Sequence, residues 1–338
     1  MTPKKGVVRA LKFTAFLILG LLLLFLAFRN TDIAELRTAL SNADYRWVFI
    51  AFATSIAAFI SRARRWLLLI QPLGYNPSLK NVFNALLSGY LANMALPRMG
   101  EVTRCVLLNR KEKIPVDKLF GTVILERVID FISLLIIMAT ILIASYDSIG
   151  PFMKDQVLIP LSEKVTLLFG STLTIRIITI SSFIIILVLL FIFRKRLLGE
   201  KIYPRIRSFA SGVIHGIKSI KTMEHKWEFL FHSVFIWVGY IVMTWVIVFV
   251  LPATSHLGLG DAVFLLVIGG LGMSAPVQSG LGAFHWIISR GLHLVYGIPL
   301  SDGLAYALVS HTSQMVLIAI LGTISMSLII HGTTRSEK

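Results

Sequence analysis

Leu96-Pro97-Arg98-Met99-Gly100-Glu101 is followed by Ile114-Pro115 and then by Glu126-Arg127 inside an apolar run. It has a counterpart near the other end of the chain, which reads Ala275-Pro276, Ser279-Gly280-Leu281-Gly282, Ile298-Pro299, then Ser310-His311 in another apolar run. Pro115 precedes Glu126 by eleven residues, and Pro299 precedes Ser310 by eleven. Each copy is a hydrophobic segment interrupted at Pro and Gly, followed by a hydrophobic helix that carries a polar cluster. Interrupted hydrophobic segments in corresponding places point to a transporter-type site near the bilayer midplane. Chance recurrence is the competing reading, because Pro and Gly are common at membrane-helix ends.

The 338 residues around these stretches are 56% hydrophobic and 15% charged. Soluble proteins average about 25% charged. The composition is that of an integral membrane protein with no sizeable soluble module. Net charge is +16, from 33 Lys and Arg against 17 Asp and Glu. In a soluble protein this balance would suggest nucleic acid. Here the basic residues sit in short loops beside apolar runs, so topology and anionic headgroups account for them and no nucleic-acid partner is expected. The single cysteine, Cys105, excludes an intrachain disulfide. Lys4, Lys5 and Arg9 before Phe13–Phe28 look like a signal peptide, but no small-x-small cleavage site follows Leu26-Ala27-Phe28-Arg29. An uncleaved first helix is expected.

Apolar runs cover 11–28, 47–61, 82–96, 119–145, 175–193, 229–251, 262–275, 284–296 and 303–330. A spanning helix needs about 20 residues, so the runs at 82–96, 262–275 and 284–296 are too short. The run at 47–61 is extended by Tyr45, Trp47 and Trp66 as interfacial anchors. Loop charge orients the chain. Lys4, Lys5, Arg9 and Lys12 put the N-terminus in the cytoplasm, and Arg62, Arg64 and Arg65 return there. Arg98, Arg104, Arg110, Lys111, Lys113 and Lys118 are also cytoplasmic, so both ends of run 82–96 lie on one side. A re-entrant hairpin satisfies this. The basic loop 194–228 is cytoplasmic and holds a stretch, 202–220, that reads either as an amphipathic surface helix or as a solvated linker. The region 262–296, with Arg290 its only Lys or Arg, fits a second hairpin entered from outside, and the C-terminus returns to the cytoplasm. The expectation is one all-α polytopic domain of the inner membrane. It has about six full transmembrane helices plus two oppositely oriented re-entrant hairpins, in inverted repeats at 82–145 and 262–330. By hydropathy there are seven to nine hydrophobic segments.

Glu126, Arg127 and Asp130 interrupt an apolar helix. Counted from Leu119, Glu126 lies ~10 Å deep and Asp130 ~17 Å deep in a ~30 Å core. Charges at that depth face a cavity or a partner. Arg127 and Asp130, three apart, form a pair by spacing; Arg98 or Arg104 is the expected partner of Glu126. A purely structural clamp is the alternative. After the Pro97 break, Gly100 admits close backbone approach, and the helix start with Arg98, Glu101 and Arg104 suits a phosphate. Positive-inside anchoring by the same arginines is the plainer alternative. In the second copy Ser274, Gln278, Ser279, Gly280 and Gly282 form the break, His285 and Arg290 follow, and His311, Ser313 and Gln314 replace the acidic cluster. Proton coupling or a structural ion pair is the role read for Glu126, Asp130 and His311, with a packing role the alternative for His311. His285 and His293 lack metal-ligand spacing, and neither a nucleophile elbow nor a GxxxxGK[ST] loop occurs. No catalytic residue, metal or cofactor is expected.

Three pieces carry a family resemblance: Leu96-Pro97-Arg98-Met99-Gly100-Glu101-Val102-Thr103-Arg104, Ile124-Leu125-Glu126-Arg127-Val128-Ile129-Asp130, and Pro276 through Gly280-Leu281-Gly282-Ala283-Phe284. The chain resembles, over nearly its whole length, the membrane-embedded flippase-like domain of lysylphosphatidylglycerol synthases. Arg98 and Met99 depart from the small residues common there, and Ser310-His311 departs from an aromatic-Arg pair. The resemblance implies moving or binding a lipid, such as aminoacylated phosphatidylglycerol or a lipid-linked sugar. The two-domain synthases add a soluble transferase domain, which is expected to be lacking here. The leading expectation is translocation, flippase- or scramblase-like, of an anionic or aminoacylated phospholipid or lipid-linked sugar across the inner membrane. Its headgroup would meet Arg98, Gly100, Glu101, Arg104 and Arg127 at one break and Gln278, Ser279, Gly280 and Gly282 at the other. Two alternatives remain: a subunit that presents lipid to a glycosyltransferase or lipid-modifying synthase, and an intramembrane transferase using Glu126. Oligomeric state is left open.

Overall fold

A spanning backbone in lipid must satisfy its own hydrogen bonds, so the long apolar runs become helices. The computed structural model describes residues 3–29, 31–96, 99–144, 159, 181, 223–275 and 277–334. Among them are α1 (Pro3–Phe28), α2 (Ile33–Ser41), α3 (Arg46–Ile70), α4 (Leu79–Ala95), α5 (Met99–Glu112) and α6 (Val116–Ala144). The later helices are α7 (Lys226–Val248), α8 (Leu259–Ser274), α9 (Ala283–Tyr296) and α10 (Leu300–Thr334). No strand occurs among the described residues. The expected span 175–193 and most of the basic loop 194–228 lie outside them.

Among the described residues three stretches, Arg46–Leu73, Lys226–Val248 and Leu300–His331, are long and apolar enough to cross a membrane. The bent pair Thr14–Phe28 and Ile33–Ser41 reaches a fourth by the same measure. The chain is an all-α membrane protein. Two assignments differ from expectation: Arg62, Arg64 and Arg65, read as the return to the cytoplasm, lie within α3, which runs on to Ile70, and Trp66, read as an interfacial anchor, is fully buried. Those arginines are carried by the helix because their partners lie inside the protein.

Helices α3 and α7 are antiparallel. The Asp44 N–H donates to the Val250 carbonyl (2.8 Å) at one end, and Arg64 donates to Glu228 (2.5 Å) at the other. α10 packs its first third by the C-terminal end of α7, where the Tyr306 hydroxyl donates to the Thr244 carbonyl (3.2 Å).

The short helices pair as two hairpins. In the first, Glu112 at the end of α5 accepts from the Ser78 N–H (3.1 Å) and the Asn81 amide (2.6 Å) at the start of α4. Its arms touch where Gly89 faces Gly100: a Cβ on Gly89 would lie 2.8 Å from the Gly100 carbonyl oxygen. Glycine permits that approach. Its base belongs to a buried core of Trp66, Leu86, Leu108, Leu119 and Val123, among others, at the C-terminal end of α3. The second hairpin is α8 and α9, joined by a 3-10 turn at Gln278–Gly280. Phe264 and Tyr296 meet edge to face at its base (centroids 6.0 Å apart), and Gly272 lies against Phe284 near its tip. This base lies by the start of α10, where a Cβ on Gly303 would sit 3.1 Å from the Ser289 carbonyl oxygen.

The two hairpins therefore enter the bundle from opposite ends of the long helices, and their tips meet. The Ser279 hydroxyl donates to the Asn93 carbonyl (3.4 Å), and His311 of α10 bonds the Ser279 carbonyl through Nε2 (2.8 Å). His311 lies eleven residues from Leu300, or about 17 Å along the helix.

Candidate functional site

Helices α3, α5 and α6 each bring charged side chains to one buried place. Arg62 and Arg65, three apart, share a face of α3 and are 5% and 0% exposed. Glu126 and Asp130, four apart, share a face of α6 turned toward them. Arg62 donates to Glu126, to Asp130 (3.0 Å) and to the Tyr240 hydroxyl (2.9 Å). Arg65 donates to Asp130 (2.6 Å) and stands 3.7 Å from Glu126. Burying such charges is costly unless each is paired, and each charge of this set has an opposite charge beside it, although Arg62 Nε and Arg65 Nε and Nη1 lack hydrogen-bond partners.

Arg104 on α5 completes the cluster differently. It is 2% exposed, and its guanidinium lies over Trp66, 4.6 Å from the ring centroid. That is a cation–π geometry. Trp66 is held in place by its own N–H, which donates to Thr122 (2.9 Å). Arg104 reaches Glu126 at 3.0 Å by charge, out of hydrogen-bond alignment. Its Nε and Nη1 atoms have no hydrogen-bond partner. A small cleft opens beside it, lined by Tyr90, Asn93, Gly100, Glu101, Arg104 and Arg127. Arg127, with 46% of its side chain exposed, stands 3.7 Å from Glu101 at the mouth. Among the described residues four arginines thus face three carboxylates, an excess of one positive charge. The Gly100 N–H is already taken by the Asn93 side chain (2.6 Å).

The expected partner of Glu126, Arg104, is found. The expected Arg127–Asp130 pair is not: Asp130 turns inward to Arg62 and Arg65, and Arg127 turns across the cleft to Glu101. Arg98, Pro97 and Pro276 lie outside the described residues. Arg62 and Arg65, assigned by charge to a cytoplasmic loop, are central members of the cluster. A signal was present in the sequence: Trp66-Leu67-Leu68-Leu69-Ile70 resumes the apolar run directly after them, so the arginines interrupt a helix without ending it.

At the second tip Gln278 and Gly280 are buried. Ser279, a non-glycine residue at φ 46°, and Gly280 and Gly282 at φ 74° and 78°, turn the chain through left-handed backbone. At Gly282 any Cβ would strike the backbone of α1 at Gly20 and Leu24. His311 packs against His285 (ring centroids 4.8 Å apart) and Phe284 (5.4 Å). Among the described residues no group of three or more His, Cys, Asp or Glu side chains is arranged to hold a metal ion.

The long apolar helices, with a buried arginine–carboxylate cluster between them, define a multi-pass membrane protein. The chain belongs to the family described as the lysylphosphatidylglycerol synthase TM region, whose sequence profile matches residues 12–322. It is similar to a UPF0104 membrane protein of Methanocaldococcus jannaschii, 25% identical over 95% of this chain and 96% of that one.

Proposed function

We propose that the protein translocates a lipid with an anionic headgroup, and that the headgroup phosphate engages Arg104 and Arg127 in the cleft at the first hairpin tip. The observation that carries this reading is the state of Arg104: deeply buried, stacked on Trp66, lining the cleft, with two guanidinium nitrogens lacking partners. A guanidinium in that condition binds a phosphate oxygen strongly. The one excess positive charge of the cluster matches one phosphodiester. Arg62, Arg65, Glu126 and Asp130 act as the rigid floor. The two hairpins re-enter the membrane from opposite sides, as arms of inverted repeats at 82–145 and 262–330. Their relative movement exposes the cleft to each leaflet in turn. N- and C-termini face the cytoplasm.

The test is translocation of a fluorescent phosphatidylglycerol in liposomes containing the purified protein. Arg104→Gln removes the charge and is expected to slow the rate at least about tenfold. Arg64→Gln, whose side chain pairs with Glu228 away from the cleft, keeps the wild-type rate. Transport by Arg104→Gln at the wild-type rate would overturn the assignment. Absence of transport by the wild type, with a lipid-handling enzyme co-purifying, would favour a presenting subunit instead.

A further inference from the structure

The arginine cluster gives the first hairpin tip a fixed positive charge. The side chains that form the second tip and pack on it, Gln278, Ser279, His285 and His311, include no Lys, Arg, Asp or Glu. The internal repeat gives one of them a counterpart. Arg127 lies twelve residues after Pro115, and His311 lies twelve residues after Pro299. A titratable base thus holds the register position of the arginine at the mouth of the first cleft. Imidazole is the side chain that can supply such a charge and withdraw it near neutral pH.

Geometry fixes where a proton goes. His311 is 7% exposed, and its Nε2 lies 2.8 Å from the Ser279 carbonyl oxygen. A carbonyl only accepts, so Nε2 carries the hydrogen and Nδ1 is the basic nitrogen of the neutral ring. A proton added at Nδ1 leaves the Ser279 bond in place and makes it charge-assisted. His285, 2% exposed, packs edge to face on His311 with ring centroids 4.8 Å apart, and its Nδ1 has no hydrogen-bond partner. Two imidazolium rings so close repel each other, so the pair holds one proton at most. No fixed charge faces the pair from the described helices around it. α8 carries none after Asp261 in its first turn, α4 none after Lys80, and α1 none after Lys12. On α9, Arg290 is five residues past His285, about 140° round the helix, and His293 bonds the Ile298 carbonyl at the base. On α10, Asp302 is nine residues before His311, on the opposite side, and the Tyr306 hydroxyl is taken by the Thr244 carbonyl. Glu35 of α2 accepts from Ser301 at the start of α10, Tyr90 of α4 lines the Arg104 cleft, and Arg62, Tyr240 and Arg104 belong to the charged cluster.

A buried imidazolium needs a counter-ion, and the empty tip has none. An anionic headgroup supplies one. Asn93 lines the Arg104 cleft and accepts from the Ser279 hydroxyl at 3.4 Å, so the way from Arg104 past the joined tips leads to the residue that His311 holds. We infer that His311 takes up one proton at Nδ1 when an anionic headgroup reaches the second tip and returns it when the headgroup leaves, so that each lipid crosses with one proton. The inference rests on the function proposed above and adds its coupling ion. A headgroup of one negative charge and its proton move no net charge together. The pH difference across the membrane therefore drives transport, and the electrical potential does not.

The experiment counts protons and lipids in proteoliposomes holding the full chain, with a pH-sensitive dye in the lumen. Acyl-labelled phosphatidylglycerol, added to the outer leaflet, is the probe. Its phosphodiester stays ionised through the neutral range, so a proton arriving with it is not the lipid's own. Albumin extraction gives the lipid moved, and the dye gives the protons. The wild type is expected to carry about one proton per lipid, at a rate that an imposed potassium potential of either sign leaves unchanged. That ratio decides the coupling without any variant. His311→Gln keeps an N–H for the Ser279 carbonyl and cannot take a proton. It is expected to lose the proton signal and all but about a tenth of the lipid movement, with an unfolding midpoint near that of the wild type. His311→Arg supplies a fixed charge and is expected to move lipid with no proton signal. Lipid movement without protons in the wild type, or about one proton per lipid in either variant, overturns the coupling at His311 alone. Absence of lipid movement by the wild type overturns the translocation reading with it.

Discussion

Glu126 is the residue on which the charged cluster turns. Its carboxylate is 1% exposed and faces Arg62, Arg65 and Arg104. Glu126→Gln keeps the shape and removes the charge, leaving Asp130 alone against three guanidiniums. Breaking a buried pair from one side costs roughly 3–5 kcal/mol. The expected result is a correspondingly lower unfolding midpoint in detergent, read by thermal denaturation. Adding Arg104→Gln to Glu126→Gln should recover part of the loss, because the two charges answer each other; strictly additive losses would show they do not. At this scale the sequence marked Glu126 and Asp130 because a charge deep in an apolar run has few explanations, and Arg104 because it follows the Pro97 break at a helix start. It misled at Arg62 and Arg65, since loop-charge counting treats every arginine near a run's end as solvated. It misled again at Arg127, because spacing along one helix cannot say which neighbouring helix a side chain turns to.

At the scale of elements, α4, α8 and α9 were legible as short apolar runs beside Pro and Gly, whereas α5, the second arm of the first hairpin, was not, because its basic residues read as a cytoplasmic stretch. Their lengths follow directly: α4, α8 and α9 have 17, 16 and 14 residues. What no pattern in one sequence displays is the partner of each glycine. Gly100 is wedged against the Gly89 carbonyl and the Asn93 amide, whereas a Cβ at Gly121 on α6 would meet nothing within 4 Å. Gly100→Ala is therefore expected to spread the first hairpin and destabilise the protein by about 1–3 kcal/mol. Gly121→Ala should be neutral or stabilising by up to ~1 kcal/mol, since it only improves helix propensity. Unfolding midpoints of the two variants check this, and equal effects would contradict the packing described here.

For the whole molecule, loop charge assigned sides to the chain, and the antiparallel run of α3 and α7 agrees with the alternation it requires. Single cysteines give the check, on a Cys105→Ala background. Gly74→Cys, after α3, should label with a membrane-impermeant maleimide from the cytoplasmic face, and Ser255→Cys, after α7, from the opposite face. Labelling of both from one face would break the topology. The meeting of the hairpin tips lay beyond the sequence's reach, because Asn93 and Ser279 are 186 positions apart and no local pattern records their contact. That contact is the heart of the proposed mechanism: a headgroup passes only when the tips separate. The most direct measurement joins Asn93→Cys and Ser279→Cys on the Cys105→Ala background by oxidation. Transport of an acyl-labelled phosphatidylglycerol is then followed by albumin extraction from liposomes. Extraction is expected to stop at the outer-leaflet half while the tips are joined and to proceed to the whole pool once they are reduced. Equal transport by joined and reduced protein would contradict it.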